Sequence, residues 1–282
     1  MKKNLIITFQ ALVVLTAMCS CGIANNKGNS GSGSDSTLCQ FSNFKQEKMY
    51  QYADEEGTTL YIDNKVTAFW PTTINGKPCP ELQKALLLAM TDSAELNTLD
   101  LAIDAMLKPD TYLEMDSSTL KPVDSISIDG SNLSSSETTL RMQDMGDRLL
   151  TYHIHHYAYM ARAAPGIYTN NYVTYDLKTE KAVALTDVIA DTTLLRTATL
   201  KSIQQTYDYG TDDLFLPDNG LLPLPSDFYF QDQVLHVVYQ VYEIASYAQG
   251  MIDAPIYPYM LKPEEMKRMY TPYGLELIDY SE

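Results

Sequence analysis

The chain has 282 residues and a formal net charge of −16 at pH 7, from 20 Lys and Arg against 36 Asp and Glu. Phosphate backbones need a basic footprint, so this balance excludes nucleic acid as a partner class. Its length suits one large domain or two small ones joined closely.

The N-terminus reads MKKNLIITFQALVVLTAMCSCG. Lys2 and Lys3 form a basic start, and Leu5 to Met18 supply an apolar run too short for a membrane span, which predicts a secretory signal over residues 1–20. Ser20-Cys21-Gly22 resembles the lipobox of bacterial lipoproteins, in which the cysteine is acylated. It predicts lipidation at Cys21, with cleavage of an ordinary signal near Ala17 as the competing reading. Cys19 is disfavoured because Met18 stands where cleavage needs a small side chain. Residues 21–37, rich in Gly, Ser and Asn, read as a flexible tether with a reach of about 20–25 Å. The expected location is the cell envelope, on the outer membrane, with the lipid bilayer as a partner through Cys21.

Removing residues 1–20 takes away Lys2 and Lys3 and no acid, so the charge moves from −16 to −18. Cys39 and Cys79 then remain, and two cysteines in an oxidising compartment predict one disulfide. Such a bridge stabilises by about 4 kcal/mol in the chain-entropy model. Two free buried thiols would read the same way.

Residues 58–71 have strand character, with Asp63-Asn64 expected to bend or turn it. Residues 75–90 start a helix near Pro80 with Leu82, Leu86 and Ala89 on one face, and 97–109 form a second, capped by Asn97 or Thr98 and stopped by Pro109. Residues 110–139 read as loop with short strands. RLLTYHIHHYAYMARA (148–163) is a long strand with Leu150, Tyr152, Ile154, Ala158 and Met160 on one face. Residues 172–189 read as a hairpin turning at Lys178–Lys181 with a helical stub at Thr186. Residues 191–207 are a helix striped by Leu195, Ala198 and Ile203; 228–240 are a second hairpin, 252–259 a closing strand and 263–270 a final helix. Strands and helices do not alternate regularly. The pattern predicts α+β: a mixed or antiparallel sheet with helices packed on it, in two intimately joined halves, 38–140 and 141–282.

VVYQVYEIASYAQGMIDAPIYPYMLKPEEM (237–266) resembles the C-terminal signature of the RsiV-like family, a domain of unknown function. Tyr239, Tyr242, Glu243, Ile244, Ala245, Tyr247, Gly250, Pro258 and Tyr259 fit its spacing. Residues 172–189 resemble the family's hairpin, with Glu180 in place of a turn glycine, and 59–109 resemble its companion N-terminal half. Family members include the lysozyme-sensing ectodomain of an anti-sigma factor, the non-catalytic half of a peptidoglycan deacetylase, and lipoproteins. The resemblance therefore implies a binding ectodomain, with a basic protein such as lysozyme, or peptidoglycan, as partner. The anti-sigma role is not expected to transfer, since it needs a cytoplasmic segment and a membrane span. Nor is the deacetylase role, since no His-x-x-x-His metal motif occurs. One loop departs: a Gly-Gly-Ala-His-Gly-like stretch of the family is Arg162-Ala163-Ala164-Pro165-Gly166 here, without the histidine.

The chemical candidates are Glu243 and the His153/His155 pair. A catalytic Glu243 needs a second carboxylate, for which Asp253 is the nearest in sequence, and a cleft. As a brace it accepts backbone N–H bonds in the turn between two strands, with Gly250 ending that turn at positive φ. His153 and His155 share a strand face on which a Zn²⁺ could sit, while His156 faces the other way. The aspartate of an H-x-H-x-D-H motif is missing, and no Gly-x-Ser-x-Gly occurs. The expectation is a non-enzymatic lipoprotein with no cofactor or metal. Its rival is a cell-wall glycan hydrolase using Glu243 or the histidines.

Overall fold

A computed structural model describes residues 39–109, 118–126, 132–163 and 165–280. The expected signal peptide, the tether, Cys21 and Ala164 lie outside the described residues. Two long strands open the fold, β1 (Cys39–Ala53) and β2 (Thr59–Ile74), paired antiparallel from Cys39↔Ile74 to Ala53↔Thr59. Asp54 closes their turn by accepting the Glu56 and Thr58 N–H groups on Oδ1, with Gly57 at φ 77°. β1 was not anticipated, because its alternation is weak and only Cys39 and Tyr52, near its two ends, are buried.

Strand β2 does not bend at Asp63-Asn64. Leu60, Ile62, Val66, Ala68 and Trp70 alternate into the core, and Asn64 falls in phase with them. Its amide survives burial because Nδ2 donates to the Lys108 carbonyl at 2.9 Å, just past the end of a helix.

After the short strand β3 (Lys77–Pro78) come α1 (Pro80–Thr91), with proline in its first turn, and α2 (Leu99–Met106). Thr98 caps α2 by accepting from Leu101 N–H. β4 (Lys121–Val123) pairs with β1. The segment expected as loop up to 139 instead enters β5 (Leu133–Met145), whose serine- and threonine-rich start fits a strand because it lies parallel to β2 and antiparallel to β6 (Leu149–Tyr159). β7 (Ile167–Asp176) follows, then the two-residue β8 (Lys181–Ala182). Together they form one sheet in the order β4-β1-β2-β5-β6-β7-β8, with β3 on β2. β5 spans residue 140, so the two expected halves share this sheet. Glu180 turns the β7–β8 hairpin at φ 56°, the left-handed conformation for which a glycine suits that position.

The rest of the chain builds a second layer: α3 (Leu185–Val188), α4 (Thr192–Tyr207), the hairpin β9 (Asp227–Gln231) and β10 (Val234–Tyr239), then β11 (Ile252–Ile256), α5 (Pro263–Met269) and α6 (Pro272–Leu277). Asp232 and Gln233 turn the hairpin with φ of 49° and 63°. The small sheet, ordered β11-β10-β9, buries Val237, Ala254 and Ile256 with Leu195, Ala198 and Ile203 of α4. α6 was not foreseen. It is fixed by Asp176, fully buried, which accepts from the Tyr273 hydroxyl at 2.8 Å and from Arg148 at 3.2 Å.

Cys39 and Cys79 are both buried and are free thiols in this structure, not the expected disulfide. They pack as small apolar groups in the core beneath α1, where burial and the neighbouring Cys79 push the Cys39 thiol up to about 11.

Candidate functional site

Strand alternation divides β6 and β7 between two environments. Tyr152, Ile154, Val173 and Tyr175 enter the core under α1. Thr151, His153, Tyr172 and Thr174 face the opposite way, toward the small sheet. At this seam Thr151 Oγ1 donates to the Phe230 carbonyl at 2.8 Å, and Phe230 N–H donates to Thr174 Oγ1 at 3.3 Å.

Beside these bonds runs a row of planar side chains. Arg141 Nε donates to His153 Nδ1 at 3.0 Å. His153 then stacks on Tyr172 at 4.8 Å between ring centroids, Tyr172 on Tyr229 at 4.2 Å, and Tyr229 on His236 at 4.5 Å. Each junction is set by register or by sheet contact: His153 is opposite Tyr172, and Tyr229 is opposite His236. Asp253 closes the row, accepting from the Tyr229 hydroxyl at 2.6 Å and from His236 Nδ1 at 2.8 Å.

The Glu243 turn lies one step along the same seam. β10 ends at Tyr239, and Glu243 folds back so that Oε2 accepts Gln240 N–H at 2.8 Å. That turn aims Gln240 at β7. Gln240 Oε1 accepts Asn170 N–H at 3.0 Å, and Nε2 donates to the Asn170 carbonyl at 2.6 Å. Asp227 Oδ2 accepts Tyr172 N–H at 2.6 Å, and the Tyr247 hydroxyl donates to the Gly166 carbonyl. β8 pairs only with Tyr175 and Asp176, so Gln240 and Asp227 take backbone bonds on β7 that a neighbouring strand would otherwise take, and Tyr247 does the same at Gly166 just before the strand. Glu243 acts through Gln240 as a positioning residue.

The His pair is held in the same network. His153 and His155 do share a face, and both donate to Asn170 Oδ1, at 2.6 Å and 3.0 Å. His153 is therefore bonded through both ring nitrogens. His156 turns to the other face and meets Thr138. No group of three or more His, Cys, Asp or Glu among the described residues is arranged to hold a metal ion. Asp253, weighed as a partner for Glu243, is committed to Tyr229 and His236 instead.

Electrostatics follow burial. Asp227 is pushed up to about 7, first by burial and further by the charge of Glu243, against the pull of the Tyr172 and Phe228 N–H groups. Burial, with Arg141 and His155 adding to it, lowers His153 against the pull of its bond to Asn170. Burial and the Asp253 carboxylate raise Tyr229.

The tyrosines of the 239–259 motif do not form one patch. Tyr239 is buried, donating to the Pro223 carbonyl at 3.0 Å. Tyr242 is 57% exposed at the tip of the turn, with Tyr247 beside it at 5.5 Å between ring centroids. Tyr259, 80% exposed and stacked on Tyr257, lies at the far end of the small sheet, because β10 and β11 run antiparallel. Gly250 has the expected positive φ, 74°. Sequence reading missed Gln240, Asn170, Asp227 and the Tyr172–Tyr229–His236 row. Its one available signal was the polar alternation of Tyr168, Asn170, Tyr172 and Thr174 along β7.

Residues 170–257 match the family described as protein of unknown function (DUF3298). The matched segment runs from the asparagine gripped by Gln240 to the first of the two stacked tyrosines. Two crystal structures are similar over most of the chain. A DUF3298 family member from Bacteroides fragilis NCTC 9343 aligns with a TM-score of 0.55 at 15% identity, covering 86% of this chain and 98% of its own. A DUF3298 family protein from Pseudomonas aeruginosa PAO1 aligns with a TM-score of 0.51 at 14% identity, covering 83% and 95%. At these identities the likeness is one of fold. No curated protein is significantly similar to the chain.

Proposed function

We propose that this protein is a lipid-anchored binding ectodomain of the cell envelope, held to the bilayer through Cys21, that recognises a basic protein of lysozyme type without performing catalysis. The observation that supports this reading is the commitment of Glu243 to Gln240 N–H: the acid the sequence offered as a catalyst is a strut for the β7 edge. The histidine pair is likewise tied to Asn170. What the turn presents outward is Tyr242, with the 54% exposed Phe215 nearby, since Phe215 N–H donates to the Ile244 carbonyl. Exposed aromatic side chains on a rigid turn are efficient binding anchors, and the acidic chain steers a basic partner toward them. The RsiV-like resemblance of residues 237–266 points to the same partner class, with peptidoglycan as its other member.

The test is surface-plasmon binding of the full chain to lysozyme at low salt, with peptidoglycan fragments in a parallel channel. Tyr242→Ala and Phe215→Ala should each weaken lysozyme binding roughly tenfold or more, as a loss of about 1.4 kcal/mol or more requires. Binding of neither lysozyme nor peptidoglycan would sink the reading. The rival hydrolase draws on one observation, the raised Asp227 carboxyl within electrostatic reach of Glu243. It requires release of soluble glycan from cell wall by the purified chain, abolished in Asp227→Asn.

A further inference from the structure

Three strands of this fold have their open edges closed by side chains. Along β7, Gln240 and Asp227 take free backbone groups. Along β9, Thr151 and Thr174 bond both backbone groups of Phe230. Along β11, the Tyr207 hydroxyl of α4 accepts Asp253 N–H at 2.9 Å and donates to its carbonyl at 3.0 Å, and Ser202 donates to the Pro255 carbonyl at 2.7 Å. β1 differs. β4 covers it only at Met49, Tyr50 and Gln51, and among the described residues nothing bonds its outer edge before Met49. Which groups point outward follows from the register. Asp54 N–H bonds the Thr58 carbonyl where β1 turns into β2, so even-numbered residues of β1 bond β2 and odd-numbered ones face out. Ala53 N–H accordingly reaches Thr119 Oγ1 on the outer side. The backbone groups of Phe41, Asn43, Lys45 and Glu47 therefore line an open edge, with no bulge or proline from Phe41 to Lys48. Such an edge is a template for pairing with another strand.

We propose that this edge is a self-association surface, on which a second copy of the chain adds its own β1, antiparallel, about a two-fold axis at Phe44. Outward-facing residues must oppose outward-facing residues, so the axis passes through a residue and not between two. Pairing all four of them places it at Phe44, their midpoint. Lys45 then meets Asn43, Glu47 meets Phe41, and no like charges stand opposite. Moving the axis to Lys45 sets that lysine opposite its own copy and drives Phe41 against Met49, whose outer side β4 already occupies. Moving it to Asn43 sets Glu47 opposite Cys39, where the register shift after Gln40 breaks the alternation. At the chosen axis the two Phe44 rings, each half-buried against the cluster of Val66, Ile103 and Leu107, meet in a non-hydrogen-bonded pair, where side chains approach most closely. The chain's own Gly- and Ser-rich residues 22–37 are poor strand formers, which disfavours them as the occupant. Nothing in the binding reading above uses this edge.

Sedimentation equilibrium of the full chain is expected to show a dimer, with association weakened at least tenfold in Lys45→Pro. Lys45 N–H faces out, so proline there removes a donor from the edge and none from the β1–β2 ladder. The register is read by cysteine linkage. Oxidation of Phe44→Cys should join two copies through residue 44, located by peptide mass mapping. Gln46→Cys should stay unlinked, because its two copies lie about 13 Å apart along the pair, beyond disulfide reach. Should Lys45→Pro shift the unfolding midpoint, the linkage experiment decides alone. The proposal is overturned by a monomer at about 100 μM, by a dimer that Lys45→Pro leaves intact, or by linkage at Gln46→Cys in preference to Phe44→Cys. Dimerisation that appears only once residues 22–37 are deleted would overturn it too, since the tether would then be the occupant. Lysozyme binding is read in a separate assay, so these outcomes leave the Tyr242 surface untouched.

Discussion

The side-chain amide of Gln240 bonds both backbone groups of Asn170, accepting its N–H at 3.0 Å and donating to its carbonyl at 2.6 Å. A glutamine here imitates a peptide unit of a missing strand. Losing both bonds leaves two part-buried backbone groups without partners, so Gln240→Ala is expected to cost about 2–3 kcal/mol. Urea unfolding with an unchanged m-value would measure it. Gln240→Glu should cost more, since a carboxylate oxygen would then face the Asn170 carbonyl.

Glu243 serves by placing Gln240, and the effect of replacing it depends on what can still accept a hydrogen bond. Glu243→Gln keeps an oxygen for Gln240 N–H and should cost less than about 1 kcal/mol, while Glu243→Ala should cost about 1–2 kcal/mol. Equal losses from the two substitutions would show that the acceptor is not what matters.

Stability should vary with pH through Asp227. Its folded pKa, raised to about 7, exceeds the unfolded value of about 3.9. The folded state therefore binds more protons between these values, and the contribution is fully present below about 4 and lost as pH rises toward 7. His153 acts in the opposite direction. Burial lowers it, so stability is present above its unfolded value of about 6.5 and falls as pH drops through the folded pKa. Unfolding midpoints taken from pH 4 to 8 should lose the downward slope toward 7 in Asp227→Asn, and the acid limb should flatten in His153→Gln.

The two cysteines should behave as protected thiols. Cys39 is buried and pushed up to about 11, so little thiolate exists at neutral pH. Iodoacetamide labelling, counted by mass spectrometry, should be slow in the native chain and rapid in urea. Rapid labelling of the folded protein would contradict this packing. Closure of the pair under an oxidant such as diamide should raise stability by about 4 kcal/mol or less.

Gly250 sits at φ 74°, and a Cβ there would meet the Tyr168 hydroxyl at 3.2 Å. Its ψ of −163° places it in an extended, positive-φ conformation that is essentially glycine-only, so Gly250→Ala should cost about 1–3 kcal/mol. The same substitution at Gly57, which also has positive φ but has nothing within 4 Å of the added Cβ, separates backbone strain from crowding.

The sequence by itself determined the elements whose apolar spacing matches their period. Leu82 and Leu86 mark α1, Leu195, Ala198 and Ile203 mark α4, and Leu150, Tyr152 and Ile154 mark the core face of β6. It also determined the positive φ at Gly250, because only local backbone sterics are involved. Tertiary structure alone decided the rest. Asn64 reads as a turn residue until a helix end supplies its hydrogen-bond partner. The polar start of β5 reads as loop until β2 and β6 flank it. Gln240, Asn170 and Asp227 become a site only where the small sheet meets the open edge of β7, since the partners of Gln240 and Asp227 lie 70 and 55 residues away in the chain. Periodicity records which way a side chain points, whereas pairing between distant segments depends on how two sheets dock.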